Sequence, residues 1–495
     1  MSRLGNIGLF FHFITYHSLS YDIFRKVKMK QQFLHSVIGL ALLIVGTMMS
    51  PLSYANDQKQ LDKLIQTSHQ RGLFNGNIMV VKNKQLVYQK SLGYSDASKT
   101  SKIDKNSMFA LGSITKEFNS VAIMILKEKG LLKLSDNLSR FKFDLPSWSK
   151  EITIAHLLNY TSGLPRMNFR AIKNSQSDLE LLRKIKSLEF NPGEGYLYSN
   201  NNVFLQIRII EEISGMTYSD FLMKNIFKPL AMQNARVSPH SSEIAPMRAF
   251  NNSFVSDPLY ADNFPLKGMV NLTVGDLKKW LLALHGGQVI SKNSLKILFD
   301  AYSANSQASL GQGFYKNNQL QVHTHHGSDL NWENYFHYNL KDDLLVILMT
   351  NNKNFKLRSI VDSVIKISQG KSFELPRKSL YSEIRLTCYD DVDLCIKNYF
   401  ALKKSNKDLY DFSNPSDLNR IGYRLIESNI LAAIKIFELA VDEFPEEANA
   451  HDSLAEAYLS NKNYSLALKH YQLVLSFHPE HEETQKKINN IKGRN

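Results

Sequence analysis

The stretch from Ser113 to Lys129 constrains this chain more than any other. It has the spacing of a helix, is apolar on most of its sides, and stops at Gly130, a residue suited to closing a helix. A helix apolar nearly all round has to be wrapped by other elements, so the fold needs a core large enough to enclose it. A chain of 495 residues has the length for such a core and for two or three units in all. Its 43% hydrophobic and 21% charged residues are those of an ordinary globular protein, which sets global disorder aside.

Around that helix the pattern alternates between strand and helix signals. Leu61 to Arg71 reads as a short helix, and Gly76–Val81 with Gln85–Gln89 as two strands of a hairpin. Helical spacing returns at Leu181–Ile185, Val203–Ser214, Tyr218–Ile226 and Val274–Leu284. Leu344–Thr350 is a β-rich run and Leu357–Ser368 is helical again. One α/β unit is therefore expected from about residue 60 to 370, with 371–414 as a connecting segment. The last part repeats itself. Ala433, Phe437 and Pro445 recur as Ala467, Tyr471 and Pro479, the period and residue types of a tetratricopeptide helix pair. Leu454, Ala455 and Tyr458 take the packing positions of the second copy. In the first copy Leu418, Gly422 and Tyr423 stand about a residue out of register.

The N-terminal part reads as an export signal. Met29-Lys30 precedes the apolar stretch Val37 to Met49, and Ser53 and Ala55 are the small residues of a cleavage site after Ala55. The apolar run is short for a membrane span, which needs about 20 residues. Export to the bacterial periplasm with cleavage near Ala55 is expected, the alternative being an anchor formed by residues 33–49. Residues 1–28 read as an extension upstream of a true start at Met29. Membrane contact is expected only through an uncleaved signal segment. The formal charge of +14 comes from scattered lysines, and with no nucleic-acid motif present, a nucleic-acid partner is not expected. Cys388 and Cys395 have neither redox nor zinc spacing; a disulfide and two free thiols both remain open.

Ser113-Ile114-Thr115-Lys116 opens the apolar helix. Residues three apart share a helix face, so the hydroxyl and the amine can meet. An alkyl hydroxyl needs a nearby base to become a nucleophile, and a lysine can serve where burial lowers its pKa from about 10.4. The helix N-terminus adds amide hydrogens where negative charge develops. The spacing alone is weak, since Ser139–Lys142, Ser147–Lys150, Ser363–Lys366 and Ser368–Lys371 share it. Ser113 is set apart by Phe109-Ala110-Leu111-Gly112 before it and by a lysine inside an apolar helix. Two later elements add to it. Tyr198-Ser199-Asn200 follows the turn-rich Asn191-Pro192-Gly193-Glu194-Gly195, offering a phenol for proton transfer and an amide to orient substrate. His325-His326-Gly327-Ser328 on an edge strand could set a donor beside the substrate, with the glycine permitting close backbone approach.

The order Ser113-x-x-Lys116, Tyr198-x-Asn200, His325-x-Gly327 resembles the serine β-lactamase and penicillin-binding family, in its class C β-lactamase, D-aminopeptidase and esterase branch. Ile152 to Pro165, Ile226 to Met232 and Thr273 to Leu277 are similar to further stretches of that branch, so the likeness covers about residues 60–365. It implies an α/β (α+β) fold, an antiparallel sheet flanked by helices with a helical lobe, here followed by a small all-α repeat domain at 415–495. Residues 56–370 would form the hydrolase domain after a signal at 29–55.

The resemblance also implies two-step acyl transfer without a metal or other cofactor. Ser113 would be the nucleophile, and Lys116 and Tyr198 would share the proton transfers. Asn200, His325, Gly327 and Ser328 would bind substrate, with the Ser113 and Ser328 amides as the oxyanion hole. The substrate class is an ester, amide or D-amino-acid-containing peptide. β-Lactamases proper carry a lysine where this chain has His325. A lysine is a permanent cation for a substrate carboxylate, whereas histidine is mostly neutral at pH 7. The alternative is a catalytically weak penicillin-binding-like protein that serves as a binding or scaffold module, with a protein partner at the repeats. A zinc reading of His323, His325, His326 and Asp329 lacks H-E-x-x-H and a second ligand cluster, and His323 reads as a surface side chain at a strand end. Trp148, Trp280 and Trp332 read as packing residues, with an acyl-pocket position also open for Trp332.

Overall fold

The computed structural model describes residues 51–95, 98–166, 178–238, 268–303, 306–307, 309–329, 331–426 and 428–493. The chain divides into two compact units, Met1–Gln60 and Leu61–Asn495. Of the first, residues 51–60 are described, and they are helical. The expected extension 1–28 and all but the last positions of the expected signal 29–55 lie outside the described residues. Among the described residues no helix is long and apolar enough to cross a membrane.

The strands of the second unit are β1 (Gly76–Lys82), β2 (Gln85–Leu92), β3 (Phe109–Ala110), β4 (Arg236–Val237), β5 (Val270–Leu272), β6 (Gln312–Lys316), β7 (Gln319–Asp329), β8 (Trp332–Asn339) and β9 (Leu344–Thr350). Six of them form one antiparallel sheet in the order β2-β1-β9-β8-β7-β6, and β3-β5-β4 form a small one. The sheet joins the two ends of the domain, because β1 runs against β9 from Gly76 opposite Thr350 to Lys82 opposite Leu344. Side chains alternate across a strand, and both faces here are apolar. Ile78, Val80, Val346 and Leu348 go to one core, while Met79, Val81, Ile347 and Met349 go to the other. A strand buried on both faces reads as an unbroken apolar run, as Leu344–Thr350 does.

The first face is covered by Leu61, Leu64 and Ile65 and by the helix Leu357–Ser368, which buries Leu357, Ile360, Val361, Val364 and Ile367. Each such side chain contributes about 1.5–3 kcal/mol on leaving water. The second face belongs to the larger core, which encloses the helix Thr115–Glu128. The enclosure expected from the sequence is complete: between Phe109 and Leu126 only Ser113 and Lys116 are not buried.

Residues 371–414 are more than the connecting segment expected. The helices Leu380–Asp390 and Val392–Ser405 fill most of them, and a Cys388–Cys395 disulfide ties the pair. The corner between them is built by Asp391, whose carboxylate accepts the amides of Asp393 and Leu394. Their charged, weakly patterned surfaces hid them from a periodicity reading. They share one core with the helices Ser416–Ile426, Ile430–Glu443, Ala448–Ser460, Tyr464–Phe477 and Glu482–Lys492. Within this array the repeated residues take matching places, with Ala433, Ala467, Phe437 and Tyr471 fully buried. Gly422 gives the Phe437 ring its room, since a β-carbon there would stand 2.5 Å from it.

The array is fastened to the sheet domain at Phe355 and Lys356. The Lys356 ammonium lies 3.3 Å from Asp411 and 3.7 Å from Asp417. The Arg420 guanidinium covers the Phe355 ring at 4.3 Å, and Tyr381 meets that ring edge-on at 5.3 Å.

Candidate active site

Ser113 sits in a 3-10 turn, Gly112–Ile114, that feeds directly into the helix Thr115–Glu128. The turn is pinned from several sides. Leu111 donates its amide to Val270 O at 3.0 Å, Asn334 donates to Ala110 O at 2.8 Å, and Thr115 accepts the Val270 amide at 3.1 Å. Gly112 has φ +60°, the left-handed conformation that glycine adopts without steric cost.

Lys116 Nζ lies 3.2 Å from Ser113 Oγ, as two residues three apart on one helix face require. The Tyr198 hydroxyl comes from the other side, 2.9 Å from the same oxygen. Its ring is held against the buried Tyr160 at 4.9 Å, and the Lys116 ammonium lies 5.1 Å from that ring. Tyr198 is delivered by the loop ahead of the helix Asn200–Ser214, whose N-cap is Ser199. Ser199 and Asn201 both donate to Pro165 O at 2.7 Å, which sews this loop to the Ile152–Pro165 stretch. Asn200 opens the helix and is half-buried.

His325, Gly327 and Ser328 lie on β7. β6 pairs with β7 only as far as Thr324, so the half of β7 beyond it has β8 on one side and the Leu111–Ile114 turn on the other. The contact is at backbone distance. A β-carbon on Gly327 would stand 2.0 Å from Leu111 O, and one on Gly112 would stand 2.3 Å from Ser328 N. Two glycines thus bring the Ser328 amide beside the Ser113 turn. His326, on the other side of the strand, bonds Glu333 at 3.1 Å. The second Glu333 oxygen accepts the amides of Asn354 and Phe355, at 3.0 and 2.8 Å. Burial works against this carboxylate, but His326 and those amides hold it below its ordinary pKa.

Sequence reasoning missed Glu117. This carboxylate is fully buried one residue after Lys116 and is bonded by His325 Nδ1 at 2.7 Å and by Trp280 Nε1 at 2.8 Å. Burial alone would raise its pKa; the rings of His323 and His325 outweigh that and bring it down to about 2. The signal was in plain view: an acidic residue on a helix that had to be enclosed on all sides. His323 is likewise fully buried rather than a surface side chain, with Nε2 2.7 Å from Leu310 O and Nδ1 2.8 Å from His285 Nε2. It was misread because the strand end it stands on is roofed by β6 and by His285. Glu117, His323 and His325 bring their polar atoms within 4.8 Å of one another, a donor set of the kind divalent cations use. Here those atoms are engaged with each other, with Leu310 and with Trp280. Trp148 and Trp332 are buried in the main core.

The Beta-lactamase family model matches residues 61–365, more than half of the chain. The chain belongs to the beta-lactamase family. This is a family of serine hydrolases, and the matched span holds Ser113, Lys116, Tyr198 and His325. Among curated proteins, penicillin-binding protein 4* of Bacillus subtilis (strain 168) is 31% identical over 288 residues, covering 52% of this chain and 63% of that protein. Protein flp of Staphylococcus aureus (strain N315) is 27% identical over 320 residues, covering 60% of this chain and 63% of its own. The chain thus spans under two thirds of the length of these relatives. Among solved structures, D-amino acid amidase from Ochrobactrum anthropi SV3 complexed with D-phenylalanine superposes with a TM-score of 0.54 at 21% identity, over 63% of this chain and 98% of that one. That likeness establishes the β-lactamase and transpeptidase fold.

Proposed function

We propose that this chain is an exported serine hydrolase that forms an acyl-enzyme on Ser113 with an ester, amide or D-amino-acid-containing peptide. The observation that carries the reading is the convergence of Lys116 Nζ and the Tyr198 hydroxyl on one serine oxygen, at 3.2 and 2.9 Å. Ser113 Oγ attacks the substrate carbonyl carbon while its proton passes to the Lys116–Tyr198 pair. The oxyanion is met by the Ser113 and Ser328 amides at the helix entry. Collapse breaks the bond to the leaving group, which takes the proton from the pair. Water then repeats the sequence and frees Ser113. Asn200 and His325 orient the substrate.

Histidine in place of lysine at 325 supports the aminopeptidase and esterase side of the family over antibiotic destruction. Intact-mass analysis after exposure to a fluorophosphonate and, separately, to a penicillin tests both points. Covalent labelling that vanishes in Ser113→Ala is expected, with the fluorophosphonate reacting faster. A folded protein labelled by neither probe refutes the hydrolase reading.

A second role, as a binding module, is favoured by one feature of the helical array. We read its repeats as a tetratricopeptide-like surface for a protein partner. A cavity of about 470 Å³ lies on it, lined by Tyr423, Glu456, Tyr471 and Lys487 and bounded by Arg166 of the sheet domain. Among the described residues, the Tyr471 hydroxyl there is buried without a hydrogen-bond partner.

A further inference from the structure

Beneath the reactive turn lies a chain of ionisable side chains that the proton transfers above do not use: His285, His323, Glu117 and His325. Their hydrogen bonds can be assigned from what each partner is able to do. A carbonyl only accepts, so the His323 Nε2 that lies 2.7 Å from Leu310 O carries a proton. His323 Nδ1 lies 2.8 Å from His285 Nε2, and one of these two nitrogens donates to the other. Trp280 has only a donor to offer Glu117. A carboxylate that already receives one donor, inside a core, completes its shell by receiving another, so the His325 Nδ1 at 2.7 Å carries its proton too. What remains is His325 Nε2. In an imidazole whose other nitrogen holds the proton, it is an acceptor.

We propose that Glu117 is a positioning residue that pins His325 with its proton on Nδ1 and leaves Nε2 bare, so that the cleft takes substrates presenting an N–H donor there and turns away those presenting a carboxylate. The proposal rests on the reading of His325 as a substrate-binding residue and names the substrate class of that same site. A carboxylate set against a lone pair with an ionised Glu117 behind it meets repulsion where a lysine would attract it. Among the described residues, the ionisable groups that act on His325 are Glu117, His323 and Lys116, and of these Lys116 favours an anion. Burial further disfavours the cationic ring. Leaving the carboxylate unpaired against this acceptor should lower its acceptance about tenfold or more.

The test uses the full chain and two peptides with the same scissile bond, N-acetyl-D-alanyl-D-alaninamide and N-acetyl-D-alanyl-D-alanine. Release of D-alaninamide should exceed release of D-alanine at least tenfold in kcat/KM, mainly through KM. Glu117→Gln should narrow that ratio, and His325→Lys should turn it toward the free acid. Equal or faster release from the free acid by the unaltered protein overturns the proposal. Hydrolysis of p-nitrophenyl acetate that is lost in Ser113→Ala reports separately on the hydrolase reading. Long-range proton–nitrogen spectra of histidine-labelled protein give a readout that needs neither turnover nor a folded variant. They should show His325 protonated on Nδ1 alone at pH 7. A proton on Nε2 overturns the proposal, and so does a stoichiometric divalent metal that takes that lone pair in the purified protein.

Discussion

Gly327 is packed against Leu111 so closely that a β-carbon on it would stand 2.0 Å from the Leu111 carbonyl oxygen. This one approach joins the third sequence element to the first, and the Ser328 amide reaches the Ser113 turn only because of it. Strand β7 and the entry to the helix Thr115–Glu128 therefore behave as one rigid part.

Gly327→Ala should push these two backbones apart. Overpacking at a tight contact costs about 1–3 kcal/mol, so the variant should still fold at room temperature. Its labelling by a fluorophosphonate should slow at least a hundredfold, because the oxyanion donors no longer share a point. A labelling rate within threefold of the unaltered protein would contradict the placement.

Tyr198→Phe removes a hydroxyl 2.9 Å from Ser113 while leaving the ring on Tyr160. Proton-transfer groups contribute about 10²–10⁴-fold, so labelling should fall about a hundredfold, with the unfolding midpoint nearly unchanged. Lys116→Met should lose more. Stopped labelling followed by intact mass reads both, and an undiminished rate in Tyr198→Phe would remove it from the chemistry.

Acid should weaken the fold over a wide window. Burial holds His285 at about 3 and His337 at about 4, and it lowers His325 as well. Once unfolded, each takes up a proton near pH 6.5, so the unfolded chain binds more protons and stability falls as the pH drops below that value. Glu117, brought down to about 2, adds a loss of the same sign between pH 4.5 and 2. Burial raises the carboxyls of Asp362 and Asp452, which offset part of the fall near the acid end. The urea midpoint should be level above pH 7 and decline from pH 6.5 to 4. A level midpoint down to pH 5 would count against the buried histidine chain.

Replacing both Cys388 and Cys395 by serine should loosen the tail rather than the sheet. The bond closes a short loop, with the cysteines seven positions apart, and the chain-entropy account gives about 2 kcal/mol for that. Hydrogen exchange should quicken in the helices from Leu380 to Ser405 and stay unchanged in β1, β8 and β9. Equal quickening in the sheet would mean that the two regions unfold together.

The pattern of strands and buried helix was readable because burial writes itself into periodicity. Leu344–Thr350 and Leu357–Ser368 have the bounds the spacing indicates. Ser113, Lys116 and Tyr198, which the structure brings together, could be singled out because each stands in a recognisable local setting. Glu117 and His323 were not, because their meaning arises from a contact between a helix and a strand some two hundred positions apart. The helices at Leu380–Ser405 escaped for a different reason: their apolar residues are few, and the corner at Asp391 and the disulfide supply what periodicity does not.

Phe355 has a consequence for how this molecule carries force. It holds a left-handed backbone, φ +63°, that a bulky side chain adopts only when held there. Glu333 grips its amide from the side of His326, and Arg420 and Tyr381 of the helical array grip its ring. A pull on the C-terminal helices is therefore delivered to the strand that carries His325. Phe355 thus links the tail to the strand that carries His325, beside the Lys356 ion pairs to Asp411 and Asp417.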